Sequence, residues 1–150
     1  MVSRVTLVAA TAIALWSLGC DSVPTQTLFG GTFSYAAQDS LGRPVAIGML
    51  VLDAHVDSSV LGAWYFTIVA NADTAAARWH NRGSGALTGR VANNILSVNL
   101  DPVIPDVGNH FLAAHVAWGE LAGDWGYTRG FIYPEPFADV KVGTFTAVRR

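Results

Sequence analysis

The sequence contains few charges and a single cysteine. Asp, Glu, Lys and Arg make up 13% of the 150 residues, the formal net charge is −2, and the basic residues are scattered. Binding to nucleic acid, or to anionic lipid through a basic face, requires clustered Lys and Arg, so we expect neither. Cys20 has no second cysteine with which to form a disulfide, so its presence in an oxidising compartment would need a specific reason.

Motifs for metal binding and catalysis are also missing. The chain has no pair of cysteines, no His-x-His and no His-Glu-x-x-His, so we expect no metal ion and no other cofactor. Gly83-Ser84-Gly85 lacks the Gly-x-Ser-x-Gly frame of a nucleophile elbow, and we interpret it as a turn. Glu120 and Asp124 share one predicted strand, where a surface position explains them better than catalysis. The sequence therefore favours a protein that is not an enzyme.

The N-terminal residues have the three parts of an export signal. Arg4 supplies positive charge, an apolar run of twelve residues extends from Val5 to Trp16, and the small Gly19 precedes Cys20. Twelve apolar residues suit the helix of a signal peptide, whereas a membrane-spanning helix needs about 20. We therefore predict a signal peptide over residues 1–19, a polar tether over 20–29 and one folded domain over 30–150.

Ser17-Leu18-Gly19-Cys20 resembles the lipobox of bacterial lipoproteins, which reads Leu-(Ala/Ser)-(Gly/Ala)-Cys. Gly19 and Cys20 match it, whereas Ser17 and Leu18 depart from the usual residues. The resemblance implies that the signal is cut before Cys20 and that its thiol carries long acyl chains such as palmitate. Each buried methylene contributes about 0.8 kcal/mol, so these chains would anchor the protein to the inner or outer membrane of the cell envelope. The alternatives are an ordinary secretory signal, which would release the protein, and an uncleaved N-terminal anchor.

From residue 30 onward, apolar and polar residues alternate with the period of two that is typical of β-strands. Asn93-Asn94 suits a two-residue hairpin turn, because asparagine tolerates positive φ. Residues 73–77 are predicted to form one or two turns of helix. The pattern predicts eight strands: Gly31–Gln38, Pro44–Ala54, Val60–Val69, Ala86–Val91, Ile95–Leu100, His110–Trp118, Glu120–Tyr127 and Val140–Arg149.

Short sequential hairpins predict an all-β fold, an eight-stranded up-and-down antiparallel β-barrel preceded by the signal helix. A two-sheet β-sandwich is the alternative, but closure into a barrel removes exposed strand edges. In the fifth strand, Leu96 and Val98 should face inward while Ser97 faces water. A leucine and a glycine recur together near strand starts, and glycines such as Gly62 and Gly123 are expected to let strands bend at barrel corners.

This layout resembles the calycin-like barrels, the group that contains the lipocalins and avidins, over the whole predicted domain. The ending Val142-Gly143-Thr144-Phe145-Thr146-Ala147-Val148-Arg149 is similar to the closing strand of small lipocalin-like and avidin-like domains. Gly31-Thr32-Phe33 stands where lipocalins have Gly-x-Trp, and no residue set matches the biotin site of avidin. The resemblance implies a barrel whose mouth takes a small ligand.

Aromatic residues are the candidates for a ligand site at the barrel mouth. They are Trp64, Trp79, Trp118, Trp125 and Tyr127, together with Tyr65. For Trp64 and Trp125 the favoured alternative is plain core packing. Trp79 differs, because it lies outside the predicted strands in a loop that also holds His80. That loop, 71–85, together with 101–109 and 128–139, is expected to rim one end of the barrel.

The sequence thus leads to two hypotheses for a non-enzymatic protein. The first is a membrane-tethered barrel that binds a small apolar ligand or a lipid among aromatic side chains. The second is a structural or protein-interaction module of the envelope with a filled barrel, whose protein partner the sequence does not indicate. An apolar interior of roughly several hundred Å³ would favour the first hypothesis, whereas a packed interior would leave the loops and the outer surface as sites.

Overall fold

The computed structural model describes residues 30–70, 72, 74–102, 109–117, 119–127 and 140–150. The predicted signal peptide and tether, Cys20 and Trp118 lie outside these residues. The described chain forms β1 (Gly31–Asp39), β2 (Pro44–Ala54), β3 (Ser59–Ile68), α1 (Thr74–Arg78), β4 (Gly83–Ala92), β5 (Ile95–Asn99), β6 (His110–Ala117), β7 (Glu120–Tyr127) and β8 (Val140–Arg149). Within this part of the chain, no helix has the length and apolar character needed to cross a membrane.

Each strand pairs in antiparallel fashion with the next one along the chain, and β8 returns to pair with β1. At this closing seam, Phe33 lies opposite Arg149. The predicted eight-stranded up-and-down barrel is therefore confirmed, and the β-sandwich alternative is wrong. The prediction of a turn at residues 83–85 is also wrong. Strand β4 begins at Gly83, and Ser84 pairs with Tyr65 of β3, so the ladder continues through these small residues.

The tight connection between β4 and β5 is formed by Asn93 and Asn94, as the sequence predicts. Both residues have positive φ, 52° and 62°, which a two-residue hairpin turn of this kind requires and asparagine tolerates. The turn fixes the register of the two strands, with Ala92 opposite Ile95, and so decides which side chains face inward.

Alternation along the strands gives the barrel an apolar interior. Leu96 and Val98 of β5 are buried, in agreement with the prediction. The expectation that Ser97 faces water is wrong, because only 5% of its surface is exposed. Ser97 lies in register between Arg90 of β4 and Ala113 of β6, and strands on both sides shield so short a side chain.

Two glycines of the recurring leucine–glycine pairs lie where the backbone of the next strand comes very close. A Cβ atom on Gly62 would lie 1.9 Å from the carbonyl oxygen of Val51 on β2. One on Gly123 would lie 1.9 Å from the carbonyl oxygen of Ala113 on β6. No side chain fits at such a distance, so glycine is required at these points of the curved, closed sheet.

Candidate functional site

The antiparallel order of the strands places four connections at one end of the barrel, which we call the α1 end. They are the connections β1–β2, β3–β4 with α1, β5–β6 and β7–β8. The three segments predicted to rim one end all join strands at this end, although residues 103–108 and 128–139 lie outside the described part of the chain. A ligand site at this end would be lined both by loop residues and by inward-facing residues of the strands.

Helix α1 and the residues after it cover the barrel interior at this end. Ala76 of α1 belongs to the buried core, and its carbonyl oxygen accepts a hydrogen bond of 3.0 Å from the backbone N–H of Trp79. The chain then turns inward, so that His80 is only 5% exposed. We call residues 74–82 the plug segment, because its buried histidine occupies space among the inward-facing side chains.

The His80 imidazole is held among aromatic rings inside the barrel. Its ring centroid lies 4.8 Å from that of Trp125, 5.3 Å from that of Phe66 and 5.7 Å from that of Tyr35. Its Nδ1 lies 2.8 Å from the carbonyl oxygen of Asn81, which only accepts, so Nδ1 carries the proton. Its Nε2 then accepts a hydrogen bond of 2.9 Å from the Tyr35 hydroxyl. Both ring nitrogens are therefore satisfied in the neutral form.

The surroundings of His80 also favour the neutral form energetically. Burial lowers the pKa of His80 from 6.5 to about 4, although its hydrogen bond to the Asn81 carbonyl acts in the opposite direction. Burial raises the pKa of the Tyr35 hydroxyl well above its ordinary value, which keeps that hydroxyl protonated. At neutral pH the pair is thus an uncharged phenol that donates to an uncharged imidazole.

A cluster of polar groups lies beside the plug segment. The Asp101 carboxylate accepts hydrogen bonds from Asn81 Nδ2 at 2.9 Å, from the His110 backbone N–H at 3.1 Å and from His110 Nδ1 at 2.8 Å. Burial by itself raises the pKa of Asp101, but the hydrogen bonds from His110 and Asn81 outweigh it, and the pKa lies below its usual value. Asp101 is therefore a charged carboxylate that orients both neighbouring side chains.

Two polar atoms of this cluster, Asn81 Oδ1 and His110 Nε2, are buried and make no hydrogen bond within the described structure. Both residues line a narrow void that has no room for a water molecule. Its walls also include His80, Phe111, Leu112 and Trp125. A buried polar atom without a partner costs about 1–3 kcal/mol, so a movement that opened the void would let a ligand gain by pairing with these two atoms.

His80 also lines an open groove of about 450 Å³. Its described walls are Ile68, Ala77, Arg78, His80 and Arg82. Among the described walls, His80 is the one residue that the groove and the void share.

Trp64 and Trp125 are core residues. They are 5% and 3% exposed, and their indole N–H groups donate to the carbonyl oxygens of Leu100 and Gln38, both at 2.8 Å. Trp125 also packs on His80 and lines the void, whereas Trp64 is not among the described walls of the void. A role in ligand binding stays a prediction for both, with Trp125 the better placed.

Trp79 and Tyr127 stack face to face at the α1 end, with ring centroids 4.4 Å apart and ring planes at 11°. Trp79 is 46% exposed, so the pair offers an aromatic surface to solvent while it joins the plug segment to the end of β7. Tyr65 is 47% exposed on the strand position next to buried Trp64, so it lies on the outside of the barrel.

The sequence pattern does not reveal the polar part of this site. It places His80 in a loop without a role, and it gives no reason to single out Tyr35, Asn81 or Asp101. The available signal is the polar run His80-Asn81-Arg82 directly before a strand, which also fits an ordinary surface loop. No group of three or more His, Cys, Asp or Glu side chains in the described chain is placed to hold a metal ion.

No known protein family and no curated protein matches this sequence. Three solved structures share its fold. The redesigned β-barrel mFAP1, bound to DFHBI, is 13% identical, with a TM-score of 0.50 over 84% of this chain and 99% of that chain. The redesigned β-barrel b11L5F_LGL is 10% identical, with a TM-score of 0.51 over 85% and 96%.

The third similar structure is a fluorescence-activating β-barrel that was designed de novo. It is 9% identical, with a TM-score of 0.51 over 85% of this chain and 99% of that chain. At these identities the similarity concerns the fold alone, which is the closed eight-stranded antiparallel barrel.

Proposed function

We propose that this chain is a non-enzymatic barrel that binds a small molecule at the α1 end and is held at the cell envelope by acyl chains on Cys20. One observation carries the binding proposal. Among the described residues, His80 is the one that lines both the open groove of about 450 Å³ and the void.

Displacement of His80 would expose groups suited to a small ring. Tyr35 and Phe66 would present the rings that now pack against the imidazole, and Trp125 would present a third ring. The Tyr35 hydroxyl would lose its acceptor and so become free to bind a ligand atom. Apolar walls with a few polar groups are typical of small-molecule sites. The similar barrel mFAP1 is bound to DFHBI, which supports the view that this fold has room for such a site.

The binding test compares the natural protein with His80→Ala. Indole, phenol and toluene serve as probes, and saturation-transfer NMR and calorimetry measure their binding. We expect His80→Ala to bind at least one probe more tightly than the natural protein does, because the substitution removes a side chain that lines both the groove and the void. His115→Ala is the matched control, because His115 is exposed on β6. Absence of binding in both the natural protein and His80→Ala, with both folded by circular dichroism, would refute the proposal.

The anchoring part of the proposal has a separate test. Cells that express the full chain are fed an alkyne analogue of palmitate, and the label is measured on the purified protein. We expect labelling that disappears in Cys20→Ser, whereas control Ser17→Ala keeps it. An unlabelled protein found in the medium would support the secretory alternative instead.

A second candidate function is a protein-interaction module with a filled barrel, and two observations favour it. The buried void has no room even for a water molecule, so the closed interior is packed. Ile47, Leu61 and Tyr65, on β2 and β3, are 54%, 48% and 47% exposed, which leaves apolar surface on the outside of the barrel. This candidate predicts that no probe binds the α1 end in either protein of the binding test.

A further inference from the structure

We infer that the ligand of this site is a small apolar molecule that carries a hydrogen-bond donor, such as an alcohol, a phenol or an N–H heterocycle. The inference rests on the proposed binding function and adds the chemical class of the ligand. It follows from two buried atoms without a partner, Asn81 Oδ1 and His110 Nε2, whose residues both line the void.

The orientation of the Asn81 amide is fixed by its partner. The Asp101 carboxylate only accepts hydrogen bonds, so the atom 2.9 Å from Asp101 Oδ1 must be the Nδ2 donor. The other amide atom, Oδ1, is then the one that is left buried and unpaired. Asn81 therefore offers an acceptor.

The same carboxylate fixes the tautomer of His110. Its Nδ1 lies 2.8 Å from Asp101 Oδ2, and its backbone N–H donates to the same oxygen at 3.1 Å. Nδ1 must carry a proton to bind there, so in the neutral ring Nε2 holds a lone pair. With a neutral His110 ring, two residues that line one void thus each offer an acceptor, and the described residues supply no donor to either of them.

The walls of the void determine the rest of the ligand. Phe111, Leu112 and Trp125 provide apolar contact, and the Trp125 indole N–H is already committed to the carbonyl oxygen of Gln38. A ketone, an ether or a carboxylate would bring lone pairs against lone pairs, and a carboxylate would also approach the charged Asp101. A compact apolar ligand with one O–H or N–H satisfies an acceptor that water does not reach.

The experiment measures the affinity of three probes of similar shape by calorimetry. Phenol carries a donor, anisole an acceptor only, and toluene neither. We expect phenol to bind the natural protein and His80→Ala about tenfold or more tightly than anisole or toluene, because pairing one buried acceptor is worth that much. In Asn81→Leu and in His110→Leu the advantage of phenol should fall severalfold. In the control His115→Leu, on the exposed face of β6, it should stay unchanged.

The outcomes separate the two levels of the proposal. If toluene and anisole bind as tightly as phenol, the ligand class is wrong while the binding function stands. If phenol is preferred but the preference survives in both Asn81→Leu and His110→Leu, the assignment of these acceptors is wrong. If no probe binds even His80→Ala, the binding function itself fails. Should the leucine variants unfold by circular dichroism, the ratio of phenol to anisole affinity in the natural protein decides alone.

Discussion

Acidification from pH 7 to pH 4 should destabilise this protein through one side chain, His80. In the unfolded chain a histidine titrates near its ordinary pKa of 6.5, whereas in the folded barrel burial lowers the pKa of His80 to about 4. Between these values the unfolded state binds the proton and the folded state does not. Stability from this group is therefore fully present above pH 6.5 and is lost as the pH falls towards 4.

The size of the effect follows from the two pKa values. The free energy of unfolding should fall by about 2 kcal/mol between pH 7 and pH 5, and by about 3 kcal/mol by pH 4. The carboxyl groups of Asp39 and Asp101 have pKa values below the ordinary 3.8, so they lose their stabilising effect only at lower pH. The histidine window is thus separate from ordinary acid unfolding.

Urea unfolding followed by tryptophan fluorescence at pH 7, 6, 5 and 4 measures this dependence. The variant His80→Gln should be less stable at pH 7 but nearly flat across the window, because no proton-binding group remains at the buried position. The control His115→Gln should keep the slope of the natural protein, since His115 is exposed to solvent in the folded state. The reasoning is refuted if His80→Gln loses as much stability between pH 7 and pH 4 as the natural protein does. It is also refuted if the stability of the natural protein does not change over this range.

Two further predictions concern the barrel itself, and thermal or urea unfolding measures both. Gly62→Ala should lower the free energy of unfolding by about 3 kcal/mol, because its Cβ would lie 1.9 Å from the Val51 carbonyl oxygen. The control Gly30→Ala, whose nearest neighbouring atom would be 3.8 Å away, should change it by less than about 0.5 kcal/mol. Equal effects would argue against close strand approach at Gly62. Trp64→Phe should lower the free energy of unfolding by about 1–3 kcal/mol, because the buried Leu100 carbonyl oxygen loses its hydrogen-bond donor. An unchanged free energy of unfolding would show that this carbonyl finds another partner.

The barrel could be predicted from the sequence because its determinants are local. Alternation along β5 places Leu96 and Val98 on one face, and the pair Asn93-Asn94 specifies the turn that sets their register. Both the alternation and the turn pair lie within a single hairpin, so they can be recognised without knowledge of the rest of the fold. Closure then follows from the number of strands and the lack of any other way to cover two free edges.

The site could not be predicted, because its contacts are distant in sequence and depend on closure. His80 meets the Tyr35 hydroxyl across 45 residues, and Asn81 meets Asp101 across 20. A histidine, an asparagine and an aspartate at loop and strand ends carry the signature of a solvated surface. Only the closed barrel turns His80 into a buried, neutral group with two satisfied nitrogens.

Asn81 connects the plug to the void. Its backbone carbonyl accepts a hydrogen bond from His80 Nδ1, and its side chain donates one to Asp101, so one residue contacts both the plug histidine and the acceptor cluster. Withdrawal of His80 therefore frees a second acceptor at Asn81 and increases the preference for a donor-bearing ligand. The apparent affinity is the intrinsic affinity multiplied by the fraction of molecules in which the plug segment is open. Substitutions that loosen the plug should thus weaken the folded state and tighten ligand binding together, whereas the packed-module alternative predicts loss of stability with no gain in binding.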